Sequence, residues 1–104
     1  MSLDFRLSRI QRCAVFGANI THNLVGMAQE AGVYEVLWRS DGIKASAVAS
    51  ALHVGIAKME RAPKRFKKFD SPNGWGTYEN FLKFCKEVLA ACEEYPDSEA
   101  ESFV

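Results

Sequence analysis

The spacing of hydrophobic residues along the chain predicts three main helices. Apolar side chains recur at helical intervals over residues 22–38, again over about 44–61, and a third time over 77–95, where Pro96 follows. Pro63 is expected to begin a short additional helix with the sequence PKRFKKF, because proline is favoured at the first helical position. The dominant period is therefore that of a helix.

The two ends of the chain are less regular. Leu3, Phe5 and Leu7 alternate as in a strand, whereas the residues that follow fit a turn of helix, so we interpret residues 1–18 as an N-terminal arm, divergent or partly tag-derived. The tail after Pro96 fits either a frayed end or a short edge strand. The predicted fold is mainly α: a three-helix single domain over residues 19–104 with a short extra basic helix and, as an option, a minor two-stranded element from the arm and the tail.

Composition is that of an ordinary globular domain. The chain has 104 residues, 48% of them hydrophobic and 25% charged, which is enough for one core. No apolar run approaches the roughly 20 residues of a membrane helix, and the N-terminus lacks a signal-peptide pattern. Cys13, Cys85 and Cys92 have no C-x-x-C spacing, and three free thiols predict a reducing, cytoplasmic location.

Charge is unevenly distributed although it sums to zero. Residues 58–68 carry six basic side chains against one acid, and the chain from Asp70 onward carries eight acids against two lysines. The basic segment predicts the solvated face of an amphipathic helix. Its alternative is a nucleic-acid patch formed by Lys64, Arg65, Lys67 and Lys68, although zero net charge argues against avid DNA binding.

Two short motifs are the candidate binding residues. NITHNL places Asn19, Thr21, His22 and Asn23 at the start of the first helix, where they either cap backbone N–H groups or face a ligand. Neither His22 nor His53 has a nucleophile or enough metal ligands at a recognisable spacing, so no catalytic residue and no metal are expected.

The second motif, NGWGTY, precedes the last helix and contributes Asn73, Gly74, Trp75, Gly76 and Tyr78. It is either a tight turn with Trp75 folded over the core, or a backbone N–H nest suited to an anion. Because buried asparagines need partners, we predict that the two motifs are neighbours in the fold.

Together the two motifs resemble a family of small uncharacterised proteins from bacterial and phage genomes, with the patterns N-x-T-[HY]-N-[LV] and N-G-W-G-x-Y. The resemblance covers about residues 19–99, with Ser71 where the family usually has asparagine. It implies no activity, and it weakens a catalytic role for His22, whose position alternates with tyrosine.

The functional hypothesis from the sequence is a small, non-enzymatic interaction or ligand-binding protein without a cofactor. Its partner would be a protein or a small anionic ligand and not a membrane. A nucleic-acid accessory role through the basic segment is the alternative, and an enzyme ranks third.

Overall fold

One layer of the fold is a three-stranded antiparallel sheet. A computed structural model describes residues 2–9, 13–70, 72, 74 and 76–103 of the chain. Strand β1 (Ser2–Arg9) lies in the middle of the sheet, between β2 (Cys13–Thr21) and β3 (Glu99–Phe103). The N-terminal strand β1 therefore pairs directly with the C-terminal strand β3.

The prediction of a mainly α fold is wrong, because the sheet is a full layer of the domain. The side chains of Leu3, Phe5 and Leu7 are completely buried in the same core as the helices. Their alternation is the period-2 pattern of a strand with one buried face. Residues that the sequence assigned to an arm thus supply the central strand, and the fold is α+β. Of the two alternatives for the tail, the structure shows the edge strand, β3.

The helices follow the sheet in the order α1 (Val25–Ala31), α2 (Tyr34–Trp38), α3 (Ala45–Arg61), α4 (Pro63–Lys67) and α5 (Tyr78–Glu94). A short 3-10 turn, His22–Leu24, precedes α1. The predicted positions of α3, α4 and α5 are confirmed, and Pro63 occupies the first turn of α4. Helices α3 and α5 supply most of the helical core residues.

The predicted first helix is interrupted at Gly32. This residue has φ 78°, a left-handed conformation that glycine adopts without steric cost. The N–H groups of Gly32 and Val33 bond back to the carbonyls of Gln29 (3.1 Å) and Ala28 (3.0 Å), which closes α1. The single helix expected over residues 22–38 is therefore two short helices with a 3-10 entry.

The outer edge of β3 is covered by the loop between α2 and α3. Ala100 accepts a hydrogen bond from the Gly42 N–H (2.9 Å) and donates to the Ile43 carbonyl (2.8 Å). The Ser102 N–H donates to Asp41 Oδ1 (2.7 Å). This edge of the sheet is consequently closed by the chain itself.

Of the helices in the described ranges, none has the length and apolarity that crossing a bilayer requires.

Candidate functional site

The two predicted motifs meet at Gly76. A Cβ atom built on Gly76 would lie 3.1 Å from Thr21 Cγ2 and 3.2 Å from Leu24 Cγ, and its φ is 133°. The expected proximity of the two segments is confirmed at this contact. Gly74 is exposed with φ 76°, while Asn73 and Trp75 lie outside the described residues.

Both helix starts are capped by their own side chains. Thr21 Oγ1 accepts from the Asn23 N–H (3.4 Å), and Thr77 Oγ1 accepts from the Asn80 N–H (3.2 Å). The Tyr78 N–H donates to Asp70 Oδ1 at 2.7 Å. A carboxylate of the chain therefore lies where an external anion would bind the start of α5.

Sequence reasoning missed Asp70. The signal in the sequence is its position: Asp70 directly precedes the turn SPNGWG, which leads into α5. From there its carboxylate can reach an N–H group in the first turn of the helix. The contact spans eight residues, so a search confined to the immediate N-cap position does not find it.

His22 and Tyr78 have hydrogen-bond partners inside the protein. The Trp38 indole N–H donates to His22 Nδ1 at 2.8 Å, which places the proton of a neutral imidazole on Nε2. Trp38 also stacks on Tyr34 with ring centroids 5.8 Å apart. The buried Tyr78 hydroxyl donates to the Met59 carbonyl at 2.8 Å. These contacts tie the helix starts to the core.

Asn19 bonds within the sheet. Its Nδ2 donates to Ser2 Oγ (2.9 Å) and Asp4 Oδ1 (2.7 Å), both on β1. Asn19 and Asp4 border a shallow groove of about 420 Å³ on the exposed face of the sheet. The described hydrogen bonds of Asn19 therefore do not lead to the second motif.

Two of the four predicted patch cations face acids. Arg65 pairs with Glu30, and Lys67 Nζ lies 3.5 Å from Glu79 Oε2. Lys64 and Lys68 are exposed and have no ion pair within the described part of the chain. An acid beside a cation opposes the binding of a phosphate, which weakens the case for a nucleic-acid surface.

We therefore predict that duplex DNA binds no more tightly than about 1 µM at physiological salt and that binding falls steeply as salt rises. Fluorescence anisotropy with a labelled duplex measures this. The double substitution Lys64→Glu, Lys68→Glu provides the charge-reversal comparison. A nanomolar complex that this substitution abolishes would restore the nucleic-acid hypothesis.

Cys85 and Cys92 are free thiols on the core-facing side of α5. Burial raises the pKa of the Cys85 thiol far above its usual range. Burial, with a smaller contribution from the charge of Glu93, raises the pKa of Cys92 from 9.0 to about 11. Since the thiolate is the nucleophile, neither residue is suited to nucleophilic chemistry at neutral pH.

We expect both thiols to be unreactive in the native protein. In a Cys13→Ser variant at pH 7.5, a thiol reagent should label neither cysteine within minutes, and it should label both in denaturant. Rapid labelling of both thiols in the native protein would show that the core-facing side of α5 opens easily.

The outer edge of β2 pairs with no other strand among the described residues. Successive residues of a strand direct their backbone N–H and C=O groups to opposite sides. Ala100 directs its groups toward the covering loop, so its neighbours along β3 direct theirs toward β1; these are Glu99, Glu101 and, one alternation further, Phe103. By the same alternation, the backbone groups of Leu3, Phe5 and Leu7 point toward β2 and meet Ile20, Ala18 and Phe16.

The remaining residues of β2 consequently point their backbone groups outward. These are Gly17, Asn19 and Thr21. The Thr21 carbonyl accepts the first bond of the 3-10 turn His22–Leu24, so the groups without a backbone partner in the described ranges are the N–H and C=O of Gly17 and Asn19 and the N–H of Thr21. The register shifts between Leu7 and Ser8, so the regular part of the edge is residues 16–21. A run of unpaired N–H and C=O groups is a template for another strand.

This edge was not predicted, because the pattern over residues 10–14 was interpreted as a turn of helix. The available signal was the sequence CAVFGANIT, nine residues without a charge that include Val, Phe, Ile and Thr, five residues after the alternating segment.

The described residues include no group of three or more histidine, cysteine, aspartate or glutamate side chains placed to hold a metal ion. Comparison of the chain with protein-family models, with curated proteins and with solved structures gave no match.

Proposed function

We propose that this is a small, non-enzymatic interaction protein that binds an extended polypeptide segment by strand addition at the outer edge of β2. The open edge at Gly17, Asn19 and Thr21 supports this proposal most directly. In strand addition, main-chain hydrogen bonds provide affinity, and alternate side chains provide specificity.

Among the described residues, one edge of the sheet is covered and the other is not. Residues 41–43 of the loop between α2 and α3 close the β3 edge with backbone bonds and an aspartate. Strand β2 has no lysine or proline, and beyond the register shift beside Leu7 its edge is regular over residues 16–21. Natural proteins usually protect a long edge strand, so leaving this one open favours a binding role.

The surroundings of the histidine and cysteine side chains support a non-enzymatic role. His22 accepts a hydrogen bond from Trp38, and His53 Nε2 lies 3.2 Å from Glu93 Oε2 on the surface. The thiols of Cys85 and Cys92 stay protonated at neutral pH. These buried thiols also suit the reducing cytoplasm, where we propose that the protein acts.

The test compares Gly17→Pro with Gly17→Ala. Proline removes one outward N–H group, whereas alanine keeps it and has room, because the nearest atom to its Cβ would be the Phe5 carbonyl oxygen at 4.0 Å. Tagged parent and variants are cross-linked in the producing cells, each captured protein is identified, and its binding is measured again with purified components.

The expected result is a partner, either another protein or the chain itself, that binds the parent and Gly17→Ala equally and Gly17→Pro at least tenfold more weakly. Equal binding by Gly17→Pro, with unchanged circular dichroism, would contradict strand addition at β2.

A further inference from the structure

We infer that the partner at the β2 edge is a second copy of this chain, joined by antiparallel pairing of β2 with β2 across a two-fold axis. This inference rests on the proposed function, because it requires the same open edge. It adds the identity of the occupant, the relative strand direction and the stoichiometry.

The edge is complementary to itself. At two-residue spacing, Gly17 and Asn19 each offer one N–H and one C=O, and Thr21 offers its N–H, because its carbonyl already accepts one bond from the 3-10 turn His22–Leu24. In an antiparallel pair centred on Asn19, this residue faces its own counterpart, and Gly17 faces Thr21 of the second copy. The two Asn19 residues then exchange both of their backbone hydrogen bonds. Each Thr21 N–H donates to the Gly17 carbonyl of the other copy, and each Gly17 N–H meets the remaining lone pair of the Thr21 carbonyl. This is the isologous arrangement that two-fold symmetry requires.

Charge favours a second copy as the occupant. No residue of β2 from Cys13 to Thr21 is charged, and the whole chain has zero net charge. Like charges facing each other across a strand pair destabilise it, and this strand brings none to its own copy. It also lacks the charges that would select an acidic or a basic peptide instead.

The side chains beside the edge gain burial in the same arrangement. Phe16, Ala18 and Ile20 pack against the core but remain partly exposed. In the register centred on Asn19, Ala18 of one copy faces Ile20 of the other on the helix-covered face of the sheet. The pair thus extends the apolar layer across the interface.

The assembly closes at two copies. Joining the two β2 strands gives one six-stranded sheet in the order β3-β1-β2-β2-β1-β3, whose outermost strands are both β3. Both outer edges are then covered by residues 41–43 of their own chains. Further strand addition is blocked, so pairing produces a dimer and not a fibre.

Sedimentation velocity across a concentration series of the purified full chain tests the inference. The parent is expected to move from a monomer of 11.6 kDa to twice that mass as its concentration rises, with no larger species. The amide protons of Gly17, Asn19 and Thr21 should become protected from exchange over the same range.

Two matched pairs of variants locate the interface. Gly17→Ala should dimerise like the parent, and Gly17→Pro at least tenfold more weakly. Asn19→Gln should dimerise like the parent, whereas Asn19→Lys places two lysines opposite each other at the axis. Its dimer should weaken at low salt and recover at high salt, where the repulsion is screened. Asn19 is exposed, so this variant should fold even if Gly17→Pro does not.

A parent that stays monomeric up to about 200 µM, far above the micromolar range of a specific complex, would overturn the inference. A dimer that Gly17→Pro and Asn19→Lys leave intact would do the same. If the parent is monomeric and yet another captured protein is lost on Gly17→Pro, the proposed function stands and only the occupant is wrong. If neither self-association nor capture responds to Gly17→Pro, both fail.

Discussion

Replacing Phe5 with alanine is expected to lower the free energy of unfolding by about 3–5 kcal/mol. Phe5 is completely buried, on the central strand of the sheet, among the core residues of both layers. The loss combines the transfer free energy of the ring with the cost of the cavity that it leaves. Domains of this size have a total stability of about 5–15 kcal/mol, so the variant should lose a large share of it.

Urea unfolding followed by circular dichroism measures this effect, with Arg6→Ala as the control on the same strand. Arg6 is exposed, and its guanidinium lies 4.9 Å from the centre of the Phe103 ring, a contact worth about 0.5–1 kcal/mol at a surface. If the two variants differ by less than about 1 kcal/mol, β1 is peripheral, as in the arm predicted from sequence, and not the central strand.

The contrast between Phe5 and the helices shows which parts of this fold the sequence could predict. The helices α3 and α5 each have an apolar stripe over 17 residues, and the Thr77 cap and Pro63 lie within a few residues of the backbone groups that they affect. Such signals are local, so the pattern was sufficient to place these helices.

The sheet depends on contacts that are distant in sequence. Asp4 lies opposite Phe103, and Leu7 opposite Ala100, pairings that no window of the sequence contains. The alternation at Leu3, Phe5 and Leu7 is visible in the sequence, but a single short strand is stable only when it pairs with other strands, and the sequence does not show which these are. The α+β class therefore could not be decided from the pattern alone.

The candidate site divides in the same way. The two motifs do approach each other, where Gly76 lies against Thr21 and Leu24. That contact is between carbon atoms, and the described bonds of Asn19 go to β1, so the pairing of asparagines that led to the prediction is not what is seen at the contact. The hydrogen bond from Trp38 to His22 and the one from Tyr78 to Asp70 depend on side-chain directions in three dimensions. Those directions follow from packing, which composition and spacing do not specify.

Replacing Gly55 with alanine is expected to destabilise the protein, contrary to the usual effect of this change in a helix. Alanine normally favours a helix interior over glycine by about 1 kcal/mol. Here, however, a Cβ atom would lie 2.3 Å from Val33 Cγ1 and 3.2 Å from the Ala31 carbonyl oxygen. Forcing atoms into a packed core costs about 1–3 kcal/mol, so the net loss should be up to about 2 kcal/mol after the gain in helix propensity.

A double-mutant cycle with Val33→Ala separates the clash from the propensity. Val33→Ala removes the Cγ1 atom that the new methyl group would meet, and it should itself cost stability because Val33 is completely buried. In that background Gly55→Ala should be neutral or stabilising, a coupling of at least about 1 kcal/mol between the two sites. The measurement is urea unfolding of the four proteins. Additive effects, or a parent stabilised by Gly55→Ala, would mean that α3 does not pack on the turn after α1 as closely as these distances require. The glycine would then be explained by something other than the approach of Val33.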